Sequence, residues 1–247
     1  MASFSVILAA AGQSSRFRDP NYKKPFALLS QKAVWLYSAE KFLNRKDVKQ
    51  VILVISPDDR EDFVSRFGAN IAVMGIDLVD GGKERCDSIE RGLAKVAATS
   101  DFVAIHDAAR PCLADEWIEN VFEVGTRTKA AILATPVADT IKRSADGQTI
   151  SETVDRKNLW LAQTPQVFEK KLLLEAIARR DKSNVPTDEA QLVESFGHKV
   201  TLVTGSPLNV KITTKADMAF AAACLKALPA PKFDAPLHPF SDDRLWR

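Results

Sequence analysis

The sequence of 247 residues predicts an α/β fold: a mainly parallel, three-layer sheet in a single domain over residues 1–228, with a β-arm projecting from it. Three observations carry this. Apolar runs rich in Val and Ile recur along the chain and are apolar on both faces, as strands covered on both sides must be. Amphipathic segments of helical length separate them, so consecutive strands are joined by crossovers and run parallel. The composition, 46% hydrophobic and 27% charged, is that of a globular protein able to bury a core of this kind.

In chain order, "FSVILAA" (4–10) is the first strand and 33–44 the first helical segment. "VKQVILVIS" (48–56) follows. Ser56-Pro57-Asp58-Asp59 then gives a cap, a first-turn proline and acids for a helix over 58–67. A helix over 86–97 leads to the strand "FVAIH" (102–106), and one over 114–127 to "AAILATPV" (130–137). Residues 139–160 break the alternation. Asp146-Gly147 is a hairpin turn signal between polar, alternating flanks, and an arm of this kind cannot bury itself alone, which points to a partner subunit. Helices over 169–180, 187–196 and 215–228 and a strand "VTLVTG" (200–205) complete the domain, with Thr214 and Asp217 as a capping pair for the last helix. Residues 229–247 carry four prolines and read as an extended tail.

Charge and cysteine usage narrow the function. A net charge of +2 without a polybasic block argues against a dedicated nucleic-acid or membrane-surface protein. Three cysteines (Cys86, Cys112, Cys224) without CxxC spacing fit neither a disulfide framework nor a zinc site. With no apolar run of membrane-spanning length and no leader pattern, the expected location is the cytoplasm.

Ligands of such sheets sit beyond the carboxyl ends of the strands. "LAAAG", "HDAARP" and "PVADT" all follow predicted strands, so one cleft can collect them. In "LAAAGQSSRF" (8–17) the small residues Ala10, Ala11 and Gly12 allow close approach to the backbone, and Arg16 suggests an anionic ligand; a tight turn with an exposed arginine is the alternative. The loop matches neither GxxxxGK[ST] nor GxGxxG. "YKKPF" adds Lys23 and Lys24, cations suited to charge developing in phosphoryl or nucleotidyl transfer. In "DGGKERCDSI" (80–89), Gly81 and Gly82 permit approach of a flat base or ribose, and Ser88 offers a hydroxyl at a helix entry; a plain glycine turn is the alternative. Asp107 in "HDAARP" can coordinate a hard cation such as Mg²⁺ together with phosphates, or form a structural pair with Arg110; His106 reads as structural. Thr140, Arg156 and Lys211 are donors for a second anionic group, or solvated surface residues. Neither a Ser-His-Asp order nor HExxH is present.

Taken in order, "LAAAGQSSRF", "KKPF", "DGGKERCDS", "HDAARP", "DTIKR", "VDRKNLWLAQTPQ", "TDEA" and "NVKIT" resemble the cytidylyltransferases of the non-mevalonate isoprenoid pathway over about residues 4–227. The resemblance implies a Rossmann-like nucleotidyltransferase acting as a homodimer, its arm crossing to the partner. It implies transfer of CMP from CTP to 2-C-methyl-D-erythritol 4-phosphate with Mg²⁺ as cofactor. Carried over by motif, Arg16 and Lys24 stabilise the transition state, and Arg156 and Lys211 position the acceptor phosphate with Thr140 nearby. Ala10, Ala11, Gly12, Gly82, Lys83 and Ser88 line the CTP site; Asp107 meets Mg²⁺; Arg110 supports that loop; and Thr164 joins the substrate-binding set. Ser14 stands where many relatives have glycine, and Pro25 where an amide is common; the motif alignment selects Lys24 over Lys23. Ribitol-5-phosphate cytidylyltransferases share these motifs, and a non-catalytic nucleotide-binding dimer is the reading from another class. "VDRKNLW" and "NVKIT" lean towards methylerythritol phosphate, and the joint presence of Arg16, Lys24, Asp107, Arg156 and Lys211 leans towards catalysis.

Overall fold

The computed structural model describes residues 2–12, 26–181 and 185–229. Arg16, Lys23, Lys24 and residues 230–247 of the proline-rich tail lie outside them. In chain order the elements are β1 (Phe4–Ala9), β2 (Leu28–Leu29), β3 (Lys32–Ala33), α1 (Val34–Leu43), β4 (Val48–Ile55), a 3₁₀ turn (Pro57–Asp59), α2 (Arg60–Met74), β5 (Asp77–Asp80), α3 (Arg85–Leu93), β6 (Phe102–Asp107), α4 (Asp115–Thr128), β7 (Ala130–Pro136), β8 (Ile141–Arg143), β9 (Glu152–Val154), β10 (Trp160–Glu169), α5 (Lys170–Ala178), α6 (Glu189–Ser195), β11 (Thr201–Thr204) and α7 (Ala216–Ala227).

Seven strands form one sheet in the order β11-β7-β10-β6-β1-β4-β5. All neighbours are parallel except β10, which runs antiparallel to both β6 and β7. The strands are apolar on both sides because each face is covered by different helices. On one face, Trp35 and Phe42 of α1, Phe63 of α2, and Ile118 and Phe122 of α4 pack on Val6, Leu8 and Leu53. On the other, Ile89 of α3, Leu173 and Ile177 of α5, and Val193 of α6 pack on Ile7, Val103 and Ile105. Each fully buried side chain of this size is worth roughly 1.5–3 kcal/mol. The Phe4 ring stacks on Phe122 at 4.0 Å between centroids, which ties α4 across the start of β1.

The structure differs from the sequence expectation at β10 and at Ser56. The strand Trp160–Glu169 lies outside the sequence expectation: its first apolar residues are exposed and the polar Gln163, Thr164 and Gln166 are buried, so it lacks the continuous apolar signature of its neighbours. Ser56 precedes the 3₁₀ turn but makes no capping bond with its side chain; Pro57 sets the turn. Asp146-Gly147 does lie in the turn of a hairpin, as expected. It sits inside the longer connection 144–151, where the Asp146 carboxylate accepts the N–H groups of Gln148 and Thr149 and Gly147 takes φ +71°. The arm itself is present, with β8 and β9 paired antiparallel from Ile141↔Val154 to Arg143↔Glu152. At α7, Asp217 accepts the N–H groups of Thr213 and Thr214 at 2.7 and 2.8 Å, the anticipated pairing at that helix start.

Candidate active site

The register of β1 against β6 sets Ala9 beside Asp107 at the carboxyl end of the sheet. A cleft of about 190 Å³ opens there. Its walls bring together Ala10, Ala11 and Gly12 after β1, Gly82, Lys83, Arg85 and Ser88 around the start of α3, and Asp107 with Lys211 opposite. Short side chains after β1 leave this space open, as the sequence suggested.

The α3 wall is pre-shaped. Glu84 and Asp87 form a reciprocal capping box, and Ser88 Oγ accepts the N–H of Gly82 at 3.0 Å, closing the loop onto the helix. The glycines have a reason other than ligand approach. A Cβ on Gly81 would lie 2.6 Å from that of Ala11, and one on Gly82 would lie 2.4 Å from that of Asp87. Protein packing itself demands glycine at both positions.

Asp107 is the centre of charge. Its side chain is 6% exposed and meets three cations. Arg85 Nη1 donates to Oδ1 at 2.7 Å; Lys211 Nζ lies 2.7 Å and Arg110 Nε 3.4 Å from Oδ2. Burial opposes ionisation, but Arg85, Lys211 and Arg110 outweigh it and hold this carboxyl well below the usual carboxylate range. Lys211 arrives because its segment is stitched to the β6 loop: Ile212 N–H donates to the Ala109 carbonyl, and Arg110 Nη1 to the Asn209 carbonyl, both at 2.8 Å.

Behind Asp107 a hydrogen-bond relay fixes the loop. The Asp107 N–H donates to Thr164 Oγ1 at 3.1 Å. The Arg110 carbonyl can only accept, so His106 Nε2 carries the proton across their 3.1 Å contact, and His106 Nδ1 accepts from the Thr164 hydroxyl at 3.0 Å. Burial pushes the His106 imidazole down to about 4, so it is neutral at pH 7 and fully committed. Burial likewise raises the Cys86, Cys112 and Cys224 thiols, that of Cys112 to about 12. None of these groups offers a ready base or thiolate.

Thr164 is therefore buried behind the cleft wall rather than exposed in it. Thr140 and Arg156 lie exposed on the arm, outside the cleft, with Arg156 donating to the Ala138 carbonyl. The sequence reading missed Arg85. Its place in "GGKERCDS", at the first turn of α3 facing the predicted carboxylate, was the available signal.

A mostly parallel sheet with small residues at its mouth, a glycine loop entering a helix and clustered cations around one carboxylate define a nucleotidyltransferase-type α/β protein. The family model of 2-C-methyl-D-erythritol 4-phosphate cytidylyltransferase matches residues 4–227, and the chain belongs to that family. A curated relative of that name from Rhodopirellula baltica is 42% identical over 91% of this chain and 95% of its own. Another from Bacillus velezensis is 38% identical over 91% and 96%. A crystal structure of 4-diphosphocytidyl-2C-methyl-D-erythritol synthase superposes with a TM-score of 0.75 at 32% identity, covering 91% of this chain and 99% of that one. That of 2-C-methyl-D-erythritol 4-phosphate cytidylyltransferase from Thermus thermophilus superposes with a TM-score of 0.74 at 29% identity, covering 92% and 100%.

Proposed function

We propose that the cleft between the α3 loop and Asp107 binds CTP, and that Lys211 and the arm present the acceptor beside it. As a member of its family the chain transfers CMP from CTP to 2-C-methyl-D-erythritol 4-phosphate, giving CDP-methylerythritol and pyrophosphate. An oxygen of the acceptor phosphate bonds to the α-phosphorus of CTP, and the bond from that phosphorus to the bridging oxygen of the β-phosphate breaks. Pyrophosphate leaves with the electron pair. The acceptor is a phosphate monoester, largely ionised at neutral pH, so no general base is needed. The observation that carries this reading is the Asp107 cluster: three cations gathered beside a small-residue nucleotide cleft, with the neighbouring histidine neutral and engaged elsewhere.

The barrier is the approach of two polyanions and the crowding of charge at the α-phosphorus, which positioning and cations lower. In our reading Arg16 and Lys24 act at the α-phosphate, Lys211 and Arg156 hold the acceptor phosphate, and Thr140 assists. Ala10, Ala11, Gly12, Gly82, Lys83 and Ser88 form the nucleotide wall, while Arg110 and Thr164 set the Asp107 loop. Because Thr140 and Arg156 stand away from this chain's own cleft, we assign them to the cleft of a second copy, in a homodimer joined through the arm.

The donor set suits Mg²⁺. Asp107 offers one ionised, hard oxygen group at the cleft edge, and Mg²⁺ is usually held by one or two carboxylates completed by substrate phosphates and water. Among the described residues no cluster of three or more His, Cys, Asp or Glu offers a protein-only cage. Ligation at Oδ2 competes with the Lys211 ion pair. When bound, Mg²⁺ supplies charge neutralisation of the triphosphate. We also assign the protein to the cytoplasm; no helix among the described residues is long and apolar enough to cross a membrane.

The test is pyrophosphate release with CTP and Mg²⁺, comparing methylerythritol 4-phosphate with ribitol 5-phosphate. Preference for the first supports the proposal. Preference for the second reassigns the acceptor, and release with neither returns the chain to a nucleotide-binding role.

A further inference from the structure

The geometry points to Glu189, the second acid of the "TDEA" motif, as a positioning residue that acts through Arg85 on Asp107. Glu189 is the first residue of α6, and its side chain is 2% exposed. Arg85 grips it with two parallel bonds, Nε to Oε1 at 3.1 Å and Nη2 to Oε2 at 3.0 Å. The remaining nitrogen, Nη1, is the one that donates to Asp107 Oδ1 at 2.7 Å. A bidentate pair fixes the plane of a guanidinium as well as its distance. Glu189 therefore sets the direction from which Arg85 reaches Asp107, across a cleft wall that Arg85 itself lines.

Anchoring α6 does not account for this carboxylate. Gln166 of β10 already holds the start of the helix, donating to Asp188 Oδ2 at 2.9 Å and accepting the Ala190 N–H at 3.1 Å. Asp188 caps it by accepting the Gln191 N–H at 3.0 Å. A further buried carboxylate is costly unless its pairing is good, and here the pairing leads only to Arg85. Charge gives a second reason. Arg85, Arg110 and Lys211 surround Asp107 with three positive charges. Glu189 takes up part of the Arg85 charge, so Asp107 is not drawn wholly onto Arg85 and keeps Oδ2 towards Lys211. The link also joins the two halves of the proposed site: Arg85 stands with the nucleotide wall and Lys211 with the acceptor.

This inference rests on the cytidylyltransferase reading. Its test measures kcat, KM for each substrate and Tm for wild type, E189Q, R85M, R85M/E189Q and D188A. The amide of E189Q cannot accept both Arg85 bonds. Misplacement of a site group by about 1 Å can cost up to about 100-fold, and E189Q is expected to lose about 10- to 100-fold in kcat with a smaller change in KM for CTP. R85M is expected to lose as much, and the double variant no more than R85M, since Glu189 then has nothing to position. D188A, which removes the α6 cap and the Gln166 bond to Asp188 but neither Arg85 bond, is expected to keep kcat within about twofold, as both contacts serve folding and not the site. Wild-type kcat in E189Q overturns the inference, as does additive loss in the double variant or a loss in D188A matching that of E189Q. If E189Q does not fold, R85M/E189Q, which buries no unpaired charge, decides: wild-type kcat overturns the inference, and a loss equal to that of R85M supports it. No turnover in the wild type removes the reading and the inference with it; turnover with E189Q unaffected removes the inference alone.

Discussion

The Asp107 loop and the arm are built in opposite ways. Around Asp107 the partners come from four stretches of chain: α3, the loop after β6, Thr164 in β10, and the segment 209–212. On the arm the bonds are local. Lys142 donates to Thr153, Arg143 pairs with Glu152, and Asp146 closes its own loop, all in solvent. The first region is organised before any ligand arrives, while the second presents Thr140 and Arg156 without a wall behind them. One chain thus carries a pre-organised cleft and, displaced from it, the exposed donors that we propose serve the acceptor.

The sharpest way to break this contrast is to remove a cation from the organised side. Lys211→Ala is expected to lower kcat/KM by about 10²–10³, the scale of losing one preorganised donor to developing charge. Lys24→Ala is expected to match it, with the loss in kcat rather than in CTP binding. Steady-state pyrophosphate release and CTP titration check both.

Acid comes next. Burial holds His106 at about 4, below the usual 6.5 of an imidazole, so the native state resists protonation. Its contribution to stability is intact above pH 6.5 and is lost as pH falls from there towards 4, up to an order of 3 kcal/mol. Urea unfolding across this window is expected to show the loss, with a flatter profile in His106→Gln.

On the arm, Arg156→Ala is expected to raise KM for the acceptor about tenfold, as a lost charged hydrogen bond does, with Tm unchanged. A change confined to CTP affinity would move Arg156 to the other half of the site. The smallest effect belongs to Glu152→Gln. Its ion pair with Arg143 is more than half exposed on both sides, so Tm is expected to move by less than about 3 °C in thermal unfolding.

The contrast also separates what the sequence reveals from what it hides. Strands β1, β4, β6 and β7 are legible because both faces are buried and no polar residue interrupts the pattern for long. Lys83, Ser88, Asp107 and Lys211 are legible as motif residues, and the fold brings them to one cleft. Strand β10 is hidden because Trp160, Leu161 and Ala162 lie exposed where the arm returns, so period and burial disagree. The Arg85–Glu189 pair is hidden for a different reason. Its members stand 104 positions apart, and nothing local to either betrays the other. The glycines at 81 and 82 are visible, but their cause, contact with Ala11 and Asp87, exists only in three dimensions.

The reversed strand has a consequence for how the molecule assembles. Four strands, β5-β4-β1-β6, are complete once residue 107 has been made, and β7 follows within thirty residues. Yet β7 touches β6 nowhere in the sheet; β10 lies between them. During synthesis β7 must wait, its apolar edges unpaired, until the whole arm has been extruded and residues 160–169 come back to fill the gap. Contacts of such long sequence separation are slow to form. Insertion of β10 is thus the step that joins an early half-sheet to a late one.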